Sequence, residues 1–197
     1  MPTIRKRYWV TAVVVLVVAA AVAWWLRPLP LAGPWQAQIL DADTGQPLEG
    51  VIVLALWEKR TFAWPHPDRG YHDLDEVVSD KDGRIVIPAR VVASRHPFEI
   101  TLGPLLTIFK PGYGKWHFEG MPEAWKKDPE AARQRSDEIW YRFGHGGAVM
   151  VMPRAKTREE RKEIVRVIFP DAEVPSVKYP RFLDAYNQER VSLGFSR

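Results

Sequence analysis

The sequence predicts a mainly-β fold in which one N-terminal transmembrane helix precedes a β-sandwich that carries helical additions at its C-terminal end. Three observations predict this: an uncharged apolar run near the start, short apolar segments separated by turn residues over 35–113, and helix-start signals after that point. The chain of 197 residues is 46% hydrophobic and 26% charged and contains no cysteine. These values exclude a disordered chain, a disulfide scaffold and a zinc site built on thiolates.

The apolar run covers Tyr8 to Leu26, 19 residues without a charge. At about 1.5 Å per helical residue it spans about 28 Å, which matches the hydrocarbon thickness of a bilayer. Arg5, Lys6 and Arg7 precede the run and only Arg27 follows it. The positive-inside rule therefore predicts a single-pass protein with a cytoplasmic N-terminus and an extracytoplasmic body, which in a bacterial cell would mean the inner membrane and the periplasm.

A cleaved signal peptide is the alternative interpretation of the same segment. Residues 21–23 (Ala-Val-Ala) match the small-x-small pattern of a cleavage site after Ala23. We favour a retained anchor, because the apolar run continues through Trp24, Trp25 and Leu26. Either interpretation exports the rest of the chain.

The basic character of the chain is confined to its N-terminus. Four of the 28 basic residues lie within residues 1–40, which contain no acidic residue. The remaining 24 basic residues equal the 24 acidic residues of the chain in number. A nucleic-acid-binding face needs an excess of basic residues, so we predict no nucleic-acid partner.

The stretch from 35 to 113 has the pattern of several short strands. Val51–Trp57 is a continuous apolar run, which predicts a strand buried on both faces, and Leu105–Phe109 predicts another. Between them, the turn Asp80–Gly83 predicts a hairpin of the strands 76–79 and 84–87. A further strand is predicted over 35–40.

Helix signals dominate after residue 113. Asp128 and Pro129 predict a helix that runs to about Glu138, and the capping box Thr157–Glu160 predicts one that runs to about Ile168. A last helix is predicted over 180–193 and one more strand over 147–152. The chain thus divides into a cytoplasmic stub, anchor and Pro-rich tether (1–34), a β-sandwich (35–113) and a helical extension packed on it (114–197).

Three segments together carry a family resemblance: Asp43–Val51 before a buried strand, Ser79–Ile85 at a turn, and Thr107–Tyr113 at a strand end. In this order and spacing they resemble the carboxypeptidase regulatory-like domain, a prealbumin-like (transthyretin-like) β-sandwich. The resemblance covers 35–113 and implies an accessory module without catalytic residues, used for protein or carbohydrate contacts or for anchoring. A long insertion, about 59–75, and the extension after 113 depart from the family pattern, and the extension is similar to that of bacterial envelope proteins.

The insertion supplies the candidate binding residues. It contains Phe62, Trp64, Arg69 and Tyr71 on a loop stiffened by proline. Aromatic and arginine side chains are typical of binding hot spots, and an ordered loop loses less entropy on association. The alternative is that these rings cover an open sheet edge.

Histidine and acidic residues also crowd this segment. His66, His72, Asp73, Asp75 and Glu76 are residue types that ligate metals, but their spacing matches no named metal site. We therefore predict no metal, no cofactor and no enzymatic activity. A metal-dependent hydrolase that uses His66, His72 and Asp73 or Asp75 within the loop 66–76 is the alternative hypothesis.

The function predicted from the sequence is that of a membrane-anchored, non-catalytic module of the cell envelope for binding or scaffolding. Its expected partners are membrane lipid through residues 8–26 and an envelope protein or glycan.

Overall fold

The computed structural model describes residues 3–62, 68–94, 96, 98–168 and 174–195. Its helices are α1 Thr3–Leu26, α2 Met121–Lys127, α3 Pro129–His145, α4 Arg158–Val167 and α5 Pro180–Ser192, with a 3-10 turn at Ser176–Lys178. Its strands are β1 Leu31–Ala32, β2 Trp35–Asp41, β3 Ile52–Thr61, β4 Asp68–Val78, β5 Arg84–Ile87, β6 Arg90–Val91, β7 Glu99–Phe109, β8 His117–Phe118 and β9 Ala148–Met152. About a third of the described residues are in strands and 39% are in helices, so a mainly-β fold is not confirmed.

Helix α1 contains the predicted apolar run. Its segment Tyr8–Leu26 has a mean hydropathy of 2.4 and is exposed along its whole length. It is the one helix among the described residues that is long and apolar enough to cross a bilayer, and a signal sequence has the same length and composition. The predicted N-terminal helix is thereby confirmed.

Two sheets form the body. The four-stranded sheet has the order β5-β2-β9-β8, in which β9 is parallel to β2 and the other pairs are antiparallel. The three-stranded sheet has the antiparallel order β4-β3-β7, and β1 pairs with β6. The segment predicted as a helical extension thus also supplies two strands to the sheet that contains β2.

One hydrophobic core joins both sheets. Trp35 and Met150 of the four-stranded sheet share it with Val53 and Trp57 of β3, and the rings of Trp35 and Trp57 lie 4.9 Å apart. Helix α3 adds Phe143 to the same core. The burial of such aromatic and aliphatic side chains supplies most of the favourable free energy of folding.

A second core covers the opposite face of the three-stranded sheet. Leu54 and Phe109 of that sheet pack there against Val165 of α4 and against Phe182 and Tyr186 of α5. Alternate side chains of β3 therefore enter different cores, since successive residues of a strand point to opposite faces. The prediction that residues 51–57 form a strand buried on both faces is confirmed.

The hairpin predicted around Asp80–Gly83 is wrong. The turn forms, because Asp80 Oδ1 accepts hydrogen bonds from the backbone N–H groups of Asp82 and Arg84. However, Val78 pairs with β3 in one sheet and Arg84 pairs with β2 in the other. The turn therefore carries the chain between sheets.

The insertion over 59–75, predicted to carry a loop, is mostly strand where the structure describes it. β3 continues to Thr61 and β4 begins at Asp68, and these two residues pair. The backbone of β3 is hydrogen-bonded on both sides in this region, because β7 pairs with it up to Glu99. These main-chain bonds maintain the strands although their side chains are polar.

The helix signals are confirmed, with one difference in length. Asp128 caps α3 through hydrogen bonds to the N–H groups of Glu130 and Ala131, and the capping box Thr157–Glu160 opens α4. Helix α3 extends beyond the predicted end at Glu138 because its apolar face continues through Ile139 and Phe143 into the core.

Candidate binding surfaces

The four residues predicted to bind a partner differ in environment. Phe62 follows the end of β3 and is 48% exposed, and Arg69 of β4 is also exposed. Tyr71 is partly buried, packs on the second core and donates a hydrogen bond to Asp73 Oδ1 at 3.4 Å. Trp64 lies outside the described residues. Tyr71 therefore contributes to packing, whereas Phe62 and Arg69 remain available to a partner.

The end of the three-stranded sheet around Phe62 also includes a residue that the sequence analysis did not single out. The N–H of Phe62 donates a hydrogen bond to the carbonyl oxygen of Phe98 at 2.8 Å, and Phe98 is 57% exposed. Thr61 pairs with Asp68 on one side and with Glu99 on the other. We name this end of the sheet the hairpin tip; it comprises residues 60–62, 68, 69, 98 and 99.

Two acidic residues of the metal site in the hydrolase alternative pair with basic side chains of the protein instead. Arg90 forms ion pairs with both Asp73 and Asp75, and Lys178 Nζ lies 3.0 Å from Asp73 Oδ1. The indole N–H of Trp57 donates a hydrogen bond to Asp75 Oδ2 at 3.0 Å. Burial alone would raise the pKa of Asp73, but the hydrogen bonds from Arg90, from the Leu74 amide and from Lys178 hold it well below its usual range.

Glu76 and His72, the other described members of this set, have different surroundings. Glu76 accepts hydrogen bonds from the N–H groups of Arg181 and Phe182, which lie in the first turn of α5, so its carboxylate stabilises the start of that helix. His72 is exposed and His66 lies outside the described residues. Among the described residues, no three histidine or acidic side chains converge on a position that would hold a metal ion. The geometry of this part therefore does not support the hydrolase alternative.

A second ion pair, missed by the sequence analysis, lies at the far end of β2. Asp41 is 1% exposed and its Oδ2 accepts hydrogen bonds from Arg154 Nε at 2.8 Å and from the Tyr113 hydroxyl at 3.0 Å. Its Oδ1 accepts the N–H groups of Asp43 and Thr44. Burial would raise the pKa of Asp41, but these hydrogen bonds lower it to about 2. The buried carboxylate thereby joins the turn after β2 to the segment after β9.

An open groove of about 400 Å³ lies between α3 and the four-stranded sheet. Arg84 of β5 and Arg135 and Arg142 of α3 line it, and Gln36 and Gln38 of β2 also face it. We name it the arginine groove. All three guanidinium groups belong to exposed residues, and none forms an ion pair with a carboxylate in the part of the chain that the structure describes.

The charge of the arginine groove is mostly uncompensated. Glu119 is the acidic residue that lines it. A guanidinium group presents several N–H donors in a fixed plane, a geometry that matches carboxylate and phosphate oxygens. A groove of this volume lies within the range of ligand sites in proteins. The arginine groove can therefore receive an anionic group of a ligand.

Comparison of the chain with models of protein families, with curated proteins and with solved structures finds no match. The resemblance to the carboxypeptidase regulatory-like domain consequently stays a proposal.

Proposed function

We propose that this protein is a membrane-anchored, non-catalytic module of the cell envelope that binds a carboxylate-bearing protein or glycan in the arginine groove. The observation that carries the proposal is the presence of three arginines without acidic partners among the described residues, in one concave surface. In contrast, the acidic side chains Asp41, Asp73 and Asp75 are engaged by basic side chains and serve the fold.

The anchor in this proposal is α1, inserted as a single retained span with its N-terminus in the cytoplasm. The charge asymmetry around the apolar run supports this orientation. The tether 27–34 contains three prolines, which keep the body close to the membrane surface on a stiff connection.

The body in this proposal is a prealbumin-like sandwich with helical and strand additions. The shared core between the two sheets supports it, with Trp35 packed on Trp57. The motifs Asp43–Val51 and Ser79–Ile85 support it as well, since each contributes a turn at the same end of the body. The carbonyl oxygen of Gly83 in the second turn accepts a hydrogen bond from the N–H of Ile39, and the carbonyl oxygen of Ile39 accepts one from the N–H of Leu48. A module of this kind would bind or scaffold rather than catalyse.

In-cell photocrosslinking tests the binding proposal. A benzophenone amino acid replaces Gln36, which lies on an exposed position of the groove, in the full-length chain. We expect a crosslinked adduct that is lost when Arg135→Gln and Arg142→Gln are combined, because both guanidinium donors are removed. Arg133→Gln is the matched control, since Arg133 is an exposed residue of α3 that does not line the groove.

The same experiment identifies the class of partner and can also contradict the proposal. Digestion of the adduct with protease or with glycosidase distinguishes a protein from a glycan. An adduct that persists in the double variant, or that Arg133→Gln removes equally, would contradict the proposal. The melting temperature of each variant should match the wild type, because the three side chains are exposed.

A further inference from the structure

The hairpin tip lies at the end of the body from which the chain leads back to α1. The carbonyl oxygen of Pro30 accepts the N–H of Val92 at 3.2 Å, and the carbonyl oxygen of Val92 accepts the N–H of Thr101 at 3.2 Å. Thr101 in turn pairs with Lys59 of β3. Because hydrogen-bonded neighbours in a sheet lie side by side, Pro30 is level with Lys59 along the strands.

The strand directions show which way the chain continues from Pro30. β1 is antiparallel to β6, and the bridge between Ala93 and Ile100 continues that pairing onto β7. β7 is antiparallel to β3, so the path from Ala32 back to Pro30 has the same direction as the path along β3 from Lys59 to Thr61. The helix end and the hairpin tip therefore lie on the same side of the body.

The distance from Pro30 to the end of α1 is comparable with the distance from Lys59 to Phe62. Pro30 is four residue steps along the chain from Leu26, and an extended chain of four steps spans at most about 14 Å. Phe62 lies three residues beyond Lys59, which corresponds to about 10 Å along a strand. The hairpin tip thus reaches to within a few ångströms of the level at which α1 ends, and the headgroup layer of a bilayer is itself about 5–8 Å thick.

The aromatic and arginine side chains of the hairpin tip fit this position, and of its two acidic residues, Asp68 and Glu99, the second is paired with Lys59. Phe62 and Phe98 are large exposed aromatic residues, and the guanidinium carbon of Arg60 lies 5.4 Å from the centre of the Phe62 ring. The end of α1 shows the same combination of side chains, since the guanidinium carbon of Arg27 lies 3.5 Å from the centre of the Trp24 ring. Aromatic rings beside basic side chains are typical of the interface between hydrocarbon and water.

We propose that the hairpin tip lies in the headgroup layer of the membrane that α1 spans, with Phe62 and Phe98 among the lipid headgroups. This inference rests on the membrane anchor of the proposed function and adds a second lipid contact. Two contacts at separate points fix the orientation of the body relative to the bilayer, whereas a tether alone would leave it free to rotate.

Site-directed fluorescence tests the contact in the full-length chain reconstituted into nanodiscs of phosphatidylethanolamine and phosphatidylglycerol. The chain has no cysteine, so single replacements give unique labelling positions. Phe62→Cys and Phe98→Cys report on the tip, and Lys81→Cys, exposed in the turn at the opposite end of the body, is the control. Each is labelled with the environment-sensitive dye NBD, and lipids with a nitroxide in the headgroup region serve as quenchers.

We expect blue-shifted emission and several-fold stronger quenching by nitroxide lipid at positions 62 and 98 than at position 81. Equal, water-like emission at all three positions in nanodiscs that contain the chain would overturn the tip contact alone. A blue shift at the tip without quenching by lipid would indicate contact with protein and would also overturn it. A chain that fails to co-purify with nanodiscs would overturn the anchor and the tip contact together.

Circular dichroism of each labelled chain checks that the fold is retained. Arg69→Cys gives a second exposed position in the hairpin tip that does not remove an aromatic ring. Quenching at Arg69→Cys comparable to that at position 81 would count against the proposal independently of the phenylalanine variants.

Discussion

The backbone N–H of Phe62 donates a hydrogen bond to the carbonyl oxygen of Phe98 at 2.8 Å, which joins two exposed aromatic residues from distant parts of the sequence. The bond extends the pairing of β3 and β7 beyond Thr61. The arginine groove belongs to the other sheet, so the surfaces proposed for lipid and for a carboxylate-bearing partner are separate.

Removal of the Arg90 side chain should destabilise the body. Arg90→Ala leaves the partly buried carboxylates of Asp73 and Asp75 without their shared cation, and Asp75 then keeps only the Trp57 indole N–H among its side-chain partners in the described residues. We expect a loss of about 1–3 kcal/mol in the free energy of unfolding. Thermal unfolding in detergent, followed by tryptophan fluorescence, measures it. Lys81→Ala, on an exposed turn, is the control and should change little; equal stability of Arg90→Ala and the wild type would show that the cluster contributes nothing.

The stability of the body should depend on pH through Asp41. Its pKa is lowered from 3.8 to about 2 in the folded protein, so the folded state favours the ionised carboxylate. The resulting stabilisation is present above about pH 4 and is lost as the pH falls toward 2. Asp41→Asn should therefore lose about 1–2 kcal/mol at pH 6 and almost nothing at pH 2 relative to the wild type. Unfolding midpoints at both pH values measure the difference; a destabilisation that does not vary with pH would contradict the assignment.

Two glycines with similar backbone angles should respond differently to alanine. Gly83 has a φ of +72°, and a Cβ there would clash with the carbonyl oxygen of Ile39. Gly45 has a φ of +67° with no atom within 4 Å of its added Cβ. Gly45→Ala should cost about 1 kcal/mol for the left-handed conformation, and Gly83→Ala clearly more because the clash is added. Melting temperatures compare the two, and equal shifts would show that the approach to Ile39 is not a constraint.

Chelation should leave the melting temperature unchanged. The carboxylates of Asp73 and Asp75 are bound by Arg90, and that of Glu76 accepts N–H groups of α5, so they are not free to hold a metal ion. Thermal unfolding before and after treatment with EDTA measures this. A lower midpoint that Zn²⁺ restores would revive the hydrolase alternative.

Local signals predicted much of the fold. The strand over residues 51–57 was predictable because its side chains are apolar on both faces, and the caps at Asp128 and Thr157 were predictable because they satisfy backbone N–H groups close in sequence. The strands on either side of Asp80–Gly83 were predictable, but their pairing partners were not. A turn has the same residues whether it joins two strands of one sheet or strands of two sheets.

The candidate sites depend on longer-range pairing. Arg135 and Arg142 are seven residues apart on α3, a spacing that places both on one helix face and could have indicated half of the arginine groove. Arg84 joins them only through the pairing of β5 with β2, and Phe98 joins Phe62 only through the pairing of β7 with β3. Neither register can be read from a single sequence.

Labelling of single cysteines from one side of the membrane tests the topology on which both proposals depend. In spheroplasts, a membrane-impermeant maleimide should modify Lys81→Cys before lysis and Thr3→Cys only after it, and the mass of the extracted wild-type chain should include the segment up to Ala23. The opposite labelling pattern, or a mature chain that begins after Ala23 and is recovered without membrane, would contradict a retained anchor with an extracytoplasmic body.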